Sequence, residues 1–360
     1  MDRTLRGVKR ALVTASQLAL TAGIIWWVFR DESKRAEIAA TLAGADVNWL
    51  LLGLFGYGFV EVIAAARWQC LLRVQEIHLS FSRVLALTMI GVFFNFFIPG
   101  GTGGDAVKMF YLVKETPGRR GKALLSVVVD RLIGLFALIF FAGVLIAWKW
   151  DWLFSVPATA HWIWLALAVL AGGLVFIAWS FVVTRFGLVH RLPARMPGRD
   201  KIAELALAYG VYGRAWRPAA IAFALSILAH LGFYGVFYCA LRALAASGME
   251  IPTLVQFMAV MPVIGTITSL PISLGGVGWR EMLFEACFGG LCAASAGVAV
   301  AISSAGFLLL LAWGLVGGLI YIFYRPSEHA RIGAIRSEVR DLEHRLAEEE
   351  VAIETKSPRP

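Results

Sequence analysis

The chain has 360 residues, of which 59% are hydrophobic and only 16% are charged, and its formal net charge is +9 at pH 7. Soluble domains are about 45–50% apolar and about 25% charged, so this composition excludes an ordinary soluble globular protein and predicts an all-α polytopic membrane protein. Most of the positive charge lies between the apolar runs, which favours membrane lipids rather than nucleic acid as the partner.

Six apolar runs are long enough to cross about 30 Å of hydrocarbon, which takes roughly 20 helical residues. The predicted spans, in chain order, are Ala11–Phe29, Trp49–Ala66, Ala123–Trp148, Trp162–Thr184, Ala219–Ala240 and Ala296–Phe323. The first follows the basic residues 1–10 without a convincing A-x-A cleavage site, so we interpret it as a retained helix and not a signal peptide. Residues 325–360 predict a charged cytoplasmic tail with a short amphipathic helix.

Two further apolar pieces, residues 84–104 and 254–291, are interrupted by glycine-rich segments and are too broken to be simple spans. Both flanks of the first piece are basic. The basic residues are Arg67, Arg73 and Arg83 before it and Lys108, Lys114, Arg119, Arg120 and Lys122 after it. Because lysine and arginine concentrate on the cytoplasmic side, a re-entrant hairpin is predicted there, and the same reasoning makes 254–291 a hairpin that enters from the opposite face.

This topology puts both termini in the cytoplasm of a cell (inner) membrane protein. Residues 30–46 fit it least well, because Arg30, Lys34 and Arg35 would then lie outside. Each half of the chain has the predicted order span, span, hairpin, span. Because each half crosses the membrane three times, the second copy would begin on the opposite side and be inverted relative to the first.

The two hairpins also share a Gly-Gly-x-Gly segment, at 100–103 and 275–278, that follows a proline and precedes charged residues. Together these features predict an inverted repeat, with residues 11–148 as the first copy and 162–324 as the second. Many secondary transporters have this architecture. The alternative is that the glycines only allow helices to pack closely.

The two broken helical segments indicate where an anion-binding site would lie. A helix N-terminus exposes unpaired N–H groups and about half a positive charge, and glycine loops add backbone donors for an anion. Helices that begin near Asp105 and Trp279 would present such a site to the protein interior, where a phosphate headgroup fits.

The predicted substrate-binding residues belong to these two segments or to the charged pair inside the third span. They are Asn95, Gly100, Gly101, Gly103, Gly104, Asp105, Lys108, Asp130, Arg131, Gly275, Gly276, Gly278, Arg280 and Glu281. The structural alternatives are an N-cap for Asp105, an interfacial snorkelling side chain for Lys108, and an ion pair for Arg280 and Glu281.

Four acidic or basic residues lie inside predicted spans, where charge is costly. Asp130 and Arg131 point about 100° apart on a helix, so we expect them to pair with different partners. Glu61 is either the carboxylate that pairs with Arg131 or a site for a coupling proton. For His230 a hydrogen-bonded helix contact is favoured over a relay.

Several of these motifs resemble one known family. The segments 94–105, 126–131 and 270–281, with Arg67-Trp68 after the second span, are similar to the lysylphosphatidylglycerol synthase transmembrane-domain (flippase-like) family, and the resemblance covers roughly residues 10–325. It implies a membrane part that moves aminoacylated phosphatidylglycerol between leaflets, while a separate soluble domain performs the aminoacyl transfer. We expect here a stand-alone membrane part without the synthase domain, which leaves the cargo open.

Signals for an enzyme are poor. Residues 101–106 match G-x-G-x-x-A but follow a membrane segment instead of a strand, so no dinucleotide site is predicted. No Cys/His cluster has metal-ligand spacing and no nucleophile elbow is recognisable, so we predict no enzyme activity, no cofactor and no metal.

The sequence therefore predicts a lipid translocase that moves an anionic or amino-modified phospholipid by alternating access, with Arg280→Ala abolishing transport. The alternatives are a transporter of a polyprenyl-phosphate or glycolipid carrier, a membrane-embedded lipid-modifying enzyme, and a structural envelope subunit. The expected partners are membrane lipids and a lipid-modifying synthase or glycosyltransferase. The lipid, the direction, the energy source and the oligomeric state stay open.

Overall fold

The computed structural model describes residues 32–97, 103–116, 119–186, 210–245, 251–270 and 276–325, and within these ranges the regular structure is helical, with no strand. In chain order the helices are α1 (Glu32–Ala43), α2 (Val47–Val74), α3 (Phe81–Phe97), α4 (Gly103–Glu115), α5 (Arg120–Trp148), α6 (Trp150–Leu153), α7 (Pro157–Arg185), α8 (Trp216–Leu244), α9 (Leu254–Thr268), α10 (Trp279–Cys292) and α11 (Ala296–Phe323). The predicted all-α polytopic membrane fold is confirmed.

Five of these helices, α2, α5, α7, α8 and α11, are long and apolar enough to cross a membrane. Large apolar side chains cover their outer faces: Phe55 is 68% exposed, Trp179 58% and Leu319 58%. Such a surface suits lipid and not water. Five of the six predicted spans correspond to these helices, whereas Ala11–Phe29 and most of the predicted tail lie outside the described residues.

Two predictions about the first half need correction. The second span does not end at Ala66, because α2 continues to Val74 and buries Leu71 and Leu72 on its last turns. Arg67 therefore lies inside a helix and not in a basic loop. The region 30–46 is not simply a loop either, since it contains α1, which packs against α11 and buries Ile38 in the main apolar cluster.

The broken pieces form two pairs of short helices, α3 with α4 and α9 with α10. These helices have 17, 13, 15 and 14 residues, and at 1.5 Å per residue each measures about 20–26 Å. None reaches the roughly 30 Å of a hydrocarbon core. The connecting residues 98–102 and 271–275 lie outside the described part of the chain, and the re-entrant path through a membrane stays a prediction.

Glycines allow α3 to pack closely on both sides. A Cβ on Gly104 of α4 would lie 1.9 Å from the carbonyl oxygen of Gly91, and a Cβ on Gly317 of α11 would lie 2.1 Å from that of Met89. Backbone approaches of this kind are typical of membrane helices. The alternative reading of the glycines as packing residues therefore holds for Gly104.

Gly104→Ala should separate α3 from α4 and destabilise the folded protein by about 1–3 kcal/mol, as overpacking of a close contact does. The measurement is the thermal unfolding midpoint in detergent. Gly56→Ala on α2 is the matched control, because no atom lies within 4 Å of its added Cβ. Equal midpoints for the two variants would contradict the close approach.

Contacts between the two halves of the chain are reciprocal. The spans α2 and α8 pack on each other, α3 packs on α11 as α9 packs on α5, and α2 packs on α11 as α8 packs on α5. The first helix of each hairpin, α3 or α9, thus contacts the last span of the other half. Two copies related by a two-fold axis would make this pattern, while the inverted repeat and its boundaries, 11–148 and 162–324, remain predictions.

Candidate functional site

A cavity of about 480 Å³ opens among these helices, and residues from both halves line it. Small-molecule sites usually measure about 300–1,000 Å³. Within the described ranges, seven charged side chains line this cavity. They are Glu61, Arg67, Asp105, Lys108, Asp130, Arg131 and Arg280. Charge at membrane depth is costly and generally serves binding or transport, so this cavity is the candidate site.

The two halves of the chain contribute different kinds of side chain to the cavity. Six of the seven charged residues come from α2, α4 and α5, and only Arg280 comes from the second half. The second-half helices α8, α9 and α11 contribute mainly apolar and aromatic side chains. These are Phe233, Tyr234, Phe237, Met261, Ile264, Phe307 and Leu310. A ligand with a charged end and an apolar body matches this division.

Arg67 holds Asp130 by two parallel hydrogen bonds. Its Nε and Nη2 donate to Oδ1 and Oδ2 of Asp130, each at 2.9 Å, and its Nη1 donates to Oγ of Ser226 on α8 at 3.1 Å. Asp130 is only 2% exposed. This bidentate geometry is the strongest form of a charged hydrogen bond, and it ties α2, α5 and α8 together beside the cavity.

Arg131 pairs with Asp105 across the α4–α5 contact, through Nη2 and Oδ1. The expectation that Asp130 and Arg131 take different partners is therefore confirmed, but the suggestion that Glu61 pairs with Arg131 is wrong. Asp105 lies in the first turn of α4 as its third residue and is not its N-cap. The Arg131 side chain is 56% exposed although it lines an internal cavity, so the space beside it admits water-sized molecules.

Arg280 and Glu281 form the ion pair that was the structural alternative for them. Nη2 of Arg280 donates to Oε1 of Glu281 at 2.7 Å, and Nε of Arg280 donates to Oγ of Ser303 at 3.0 Å. Arg280 also lies over the Phe307 ring, 4.4 Å from its centroid. Arg280 lines the cavity, while Glu281 sits behind it and holds it in place.

Two of the helix N-terminal donors expected to bind an anion are already used. The Gly104 amide donates to Oδ1 of Asn95 at 3.0 Å, and the Gly278 amide donates to Oε2 of Glu281 at 2.6 Å. Asn95 therefore acts on helix α4 as well as lining the cavity. The expectation that these two amides face a ligand is wrong, because polar side chains satisfy them first, and more of the anion-binding role falls to the cavity cations.

The predicted glycines other than Gly104 fall into three groups. Gly276 and Gly278 have φ of +75° and +86°, which side chains other than glycine rarely adopt, and they set the turn that leads into α10. Gly103 is buried at the start of α4. Gly100, Gly101 and Gly275 lie outside the described residues.

Lys108 and Glu61 are the two cavity charges that take part in no ion pair within the described ranges. Lys108 is 6% exposed, and its Nζ lies 3.5 Å from the centroid of the buried Trp68 ring, a cation–π contact. The interfacial snorkelling alternative for Lys108 is therefore wrong. Glu61 is also 6% exposed, and the Tyr57 hydroxyl one turn earlier interacts with it.

Sequence reasoning missed Arg67 as a site residue. The signal was present, because apolar residues at helical spacing continue beyond it at Leu71 and Leu72, which indicates that the helix does too.

His230 makes the helix contact that was predicted for it, since its Nε2 lies 3.1 Å from the Gly134 carbonyl oxygen. Among the described residues no group of three or more His, Cys, Asp or Glu could hold a metal ion.

Comparison with known proteins places these features among membrane proteins. The family described as the lysylphosphatidylglycerol synthase TM region matches residues 14–314. The UPF0104 membrane protein PH1989 of Pyrococcus horikoshii is 28% identical over 136 residues, which cover 37% of this chain and 39% of that protein. The UPF0104 membrane protein MJ1595 of Methanocaldococcus jannaschii is 26% identical over 137 residues, 34% of this chain and 41% of that protein. The chain thus spans about two-fifths of the length of each relative.

Proposed function

The chain belongs to the lysylphosphatidylglycerol synthase TM region family, and from this premise and the charged cavity we propose that it moves an anionic or amino-modified phospholipid between membrane leaflets. It does so without changing the lipid covalently. The family name points to phospholipid, and the cavity supplies the chemistry that a phospholipid headgroup needs.

The observation that carries the proposal is that charged side chains, mostly from the first half of the chain, and apolar side chains, mostly from the second half, line one cavity. Four cations line it, Arg67, Lys108, Arg131 and Arg280. Arginine binds phosphate oxygens in a bidentate fashion and lysine binds them as a point charge. The aromatic side chains of α8 and α11 in the same cavity accept the glycerol and the first acyl carbons, while the rest of the tails stays in lipid.

The polar contacts around the cavity mostly join helices within one half of the chain, while the Arg67–Ser226 hydrogen bond joins the two halves. Arg131–Asp105 joins the first hairpin to α5, Arg67–Asp130 joins α2 to α5, and the Arg280–Ser303 hydrogen bond joins α10 to α11. In alternating access, one half rocks against the other around a fixed central site. A headgroup phosphate competes with Asp105 for Arg131, so binding loosens the contact that holds the hairpin.

Reconstitution tests the proposal. Purified protein in phosphatidylcholine vesicles, with a trace of phosphatidylglycerol labelled on one acyl chain, should make the inner-leaflet label accessible to a membrane-impermeant quencher within minutes. Protein-free vesicles should keep about half of the label protected. Chromatography of the recovered lipid should show one unmodified species.

Two outcomes of this experiment count against the proposal. A modified lipid would indicate the lipid-modifying enzyme. Protection equal to that in protein-free vesicles, with the protein folded and inserted, would indicate a subunit that moves no lipid.

A further inference from the structure

The charges in and behind the cavity balance to zero when all are ionised. Among the residues that the structure describes there are eight of them, four cationic and four acidic: Arg67, Lys108, Arg131, Arg280, Glu61, Asp105, Asp130 and Glu281. Six of the eight form closed pairs: Arg67 with Asp130, Arg131 with Asp105, and Arg280 with Glu281. The remaining two, Lys108 and Glu61, face the same cavity without an ion-pair partner in the described part of the chain.

Glu61 has charged neighbours on several elements. Lys108 of α4, Arg131 of α5 and Arg67 of its own helix act on it electrostatically, and Tyr57 interacts with it directly. Tyr234 of α8 lines the same cavity, whereas α11 contributes apolar Phe307 and Leu310 and α3 contributes uncharged Thr88 and Asn95. None of these groups holds Glu61 in an ion pair, so it can change its charge without breaking a salt bridge.

A singly anionic headgroup upsets this balance. A phosphodiester that binds next to Lys108 brings the sum of charges to minus one within the membrane-spanning part of the protein, where an uncompensated charge is costly. One proton on Glu61 returns the sum to zero. The closed pairs cannot take up that proton as easily, because protonating Asp130 leaves Arg67, 12% exposed, without its partner, and protonating Asp105 breaks its ion pair with Arg131.

We propose that Glu61 binds one proton whenever the cavity binds a singly anionic phosphodiester headgroup, so that the protein carries the lipid and the proton together. This inference rests on the proposed function and adds its energy source. On one side, a proton from water adds to a carboxylate oxygen of Glu61. On the other side it returns to water as the lipid leaves. No bond in the lipid breaks, and the loaded carrier moves no net charge.

A pH gradient across reconstituted vesicles tests this. The vesicles contain phosphatidylcholine and a trace of acyl-labelled phosphatidylglycerol, and the membrane potential is clamped with potassium and valinomycin. With one proton per lipid, a gradient of one pH unit should enrich the label in the leaflet on the alkaline side up to about tenfold at equilibrium. A change in membrane potential at equal pH should leave the distribution even.

Variants of Glu61 test whether this residue carries the transported proton. Glu61→Gln should give an even label distribution in the gradient, whatever its rate of exchange, and Glu61→Asp should restore enrichment because it keeps a carboxylate. Glu76→Gln is the control, since Glu76 is an exposed acid outside the cavity, paired with Lys122, and should behave as the parent protein.

The outcomes separate the two proposals. Rapid exchange of the label with an even distribution under the gradient would overturn proton coupling and leave the translocase intact. Enrichment that survives in Glu61→Gln would overturn the role of Glu61. No exchange in the parent protein would overturn both proposals. The parent measurement decides the question of coupling even if Glu61→Gln does not fold.

Discussion

Arg67→Ala is expected to destabilise the folded protein by about 3–5 kcal/mol, because it leaves the Asp130 carboxylate buried without its cation. Asp130 is 2% exposed, and Arg67 is its bidentate partner. The loss should appear as a fall in the thermal unfolding midpoint and in the yield of monodisperse protein in detergent. Arg73→Ala, at an exposed arginine near the end of the same helix, should change neither.

A second substitution distinguishes loss of the pair from loss of packing. Asp130→Asn in the Arg67→Ala background removes the stranded charge, so most of the stability should return. A double variant that is no more stable than Arg67→Ala would contradict the assignment of Asp130 as a buried carboxylate that depends on Arg67.

Lys108→Gln is expected to lower the rate of lipid transport strongly and to leave the stability of the folded protein unchanged or raised, in contrast to Arg67→Ala. Lys108 takes part in no ion pair among the described residues and is 6% exposed, so removing its charge breaks no salt bridge and relieves a desolvation cost. Glu61 restores the balance of charges in the cavity by binding a proton. A charged hydrogen bond to a phosphate contributes about 1.5–3 kcal/mol. Its loss corresponds to an exchange rate of labelled phosphatidylglycerol about 10–100 times lower.

Lys114→Gln is the matched control for this prediction. Lys114 lies on the same helix but is exposed, with its ammonium 4.3 Å from the centroid of the Phe110 ring. Equal exchange rates for Lys108→Gln and Lys114→Gln would contradict a headgroup role for Lys108. Arg280→Ala, the variant that the sequence suggested, is a weaker test because it would leave Glu281 buried without its cation.

Much of the fold follows from the sequence because lipid imposes a simple rule. A run of about 20 apolar residues must form a helix across the membrane, and five such runs are the long helices of the structure. The two broken pieces were also recognisable, since proline and glycine interrupt each of them. The end of α2 was misplaced because Arg67 resembles a loop residue when its buried partner on another helix is unknown.

The sequence predicted which charged residues line the site better than it predicted which of them form ion pairs. Asp105, Lys108, Arg131 and Arg280 all line one cavity, as their charge inside apolar segments suggested. Which acid meets which cation depends on helix rotation and packing between elements far apart in sequence, and Arg67 is separated from Asp130 by 63 residues. For the same reason the sequence did not show that Asn95 and Glu281 satisfy the helix N-termini.

The central claim is that residues of both halves face one wet cavity that holds an anionic headgroup. Single cysteines at Ala64 and Ser269, which line the cavity from α2 and from the end of α9, test it in a background where Cys70, Cys239, Cys287 and Cys292 are replaced. A water-soluble thiol reagent should label both positions in vesicles, and short-chain phosphatidylglycerol should slow both reactions, while a cysteine at the outward-facing Val62 of α2 should stay unlabelled. Labelling at only one of the two positions, or rates that the anionic lipid leaves unchanged, would contradict a shared headgroup cavity.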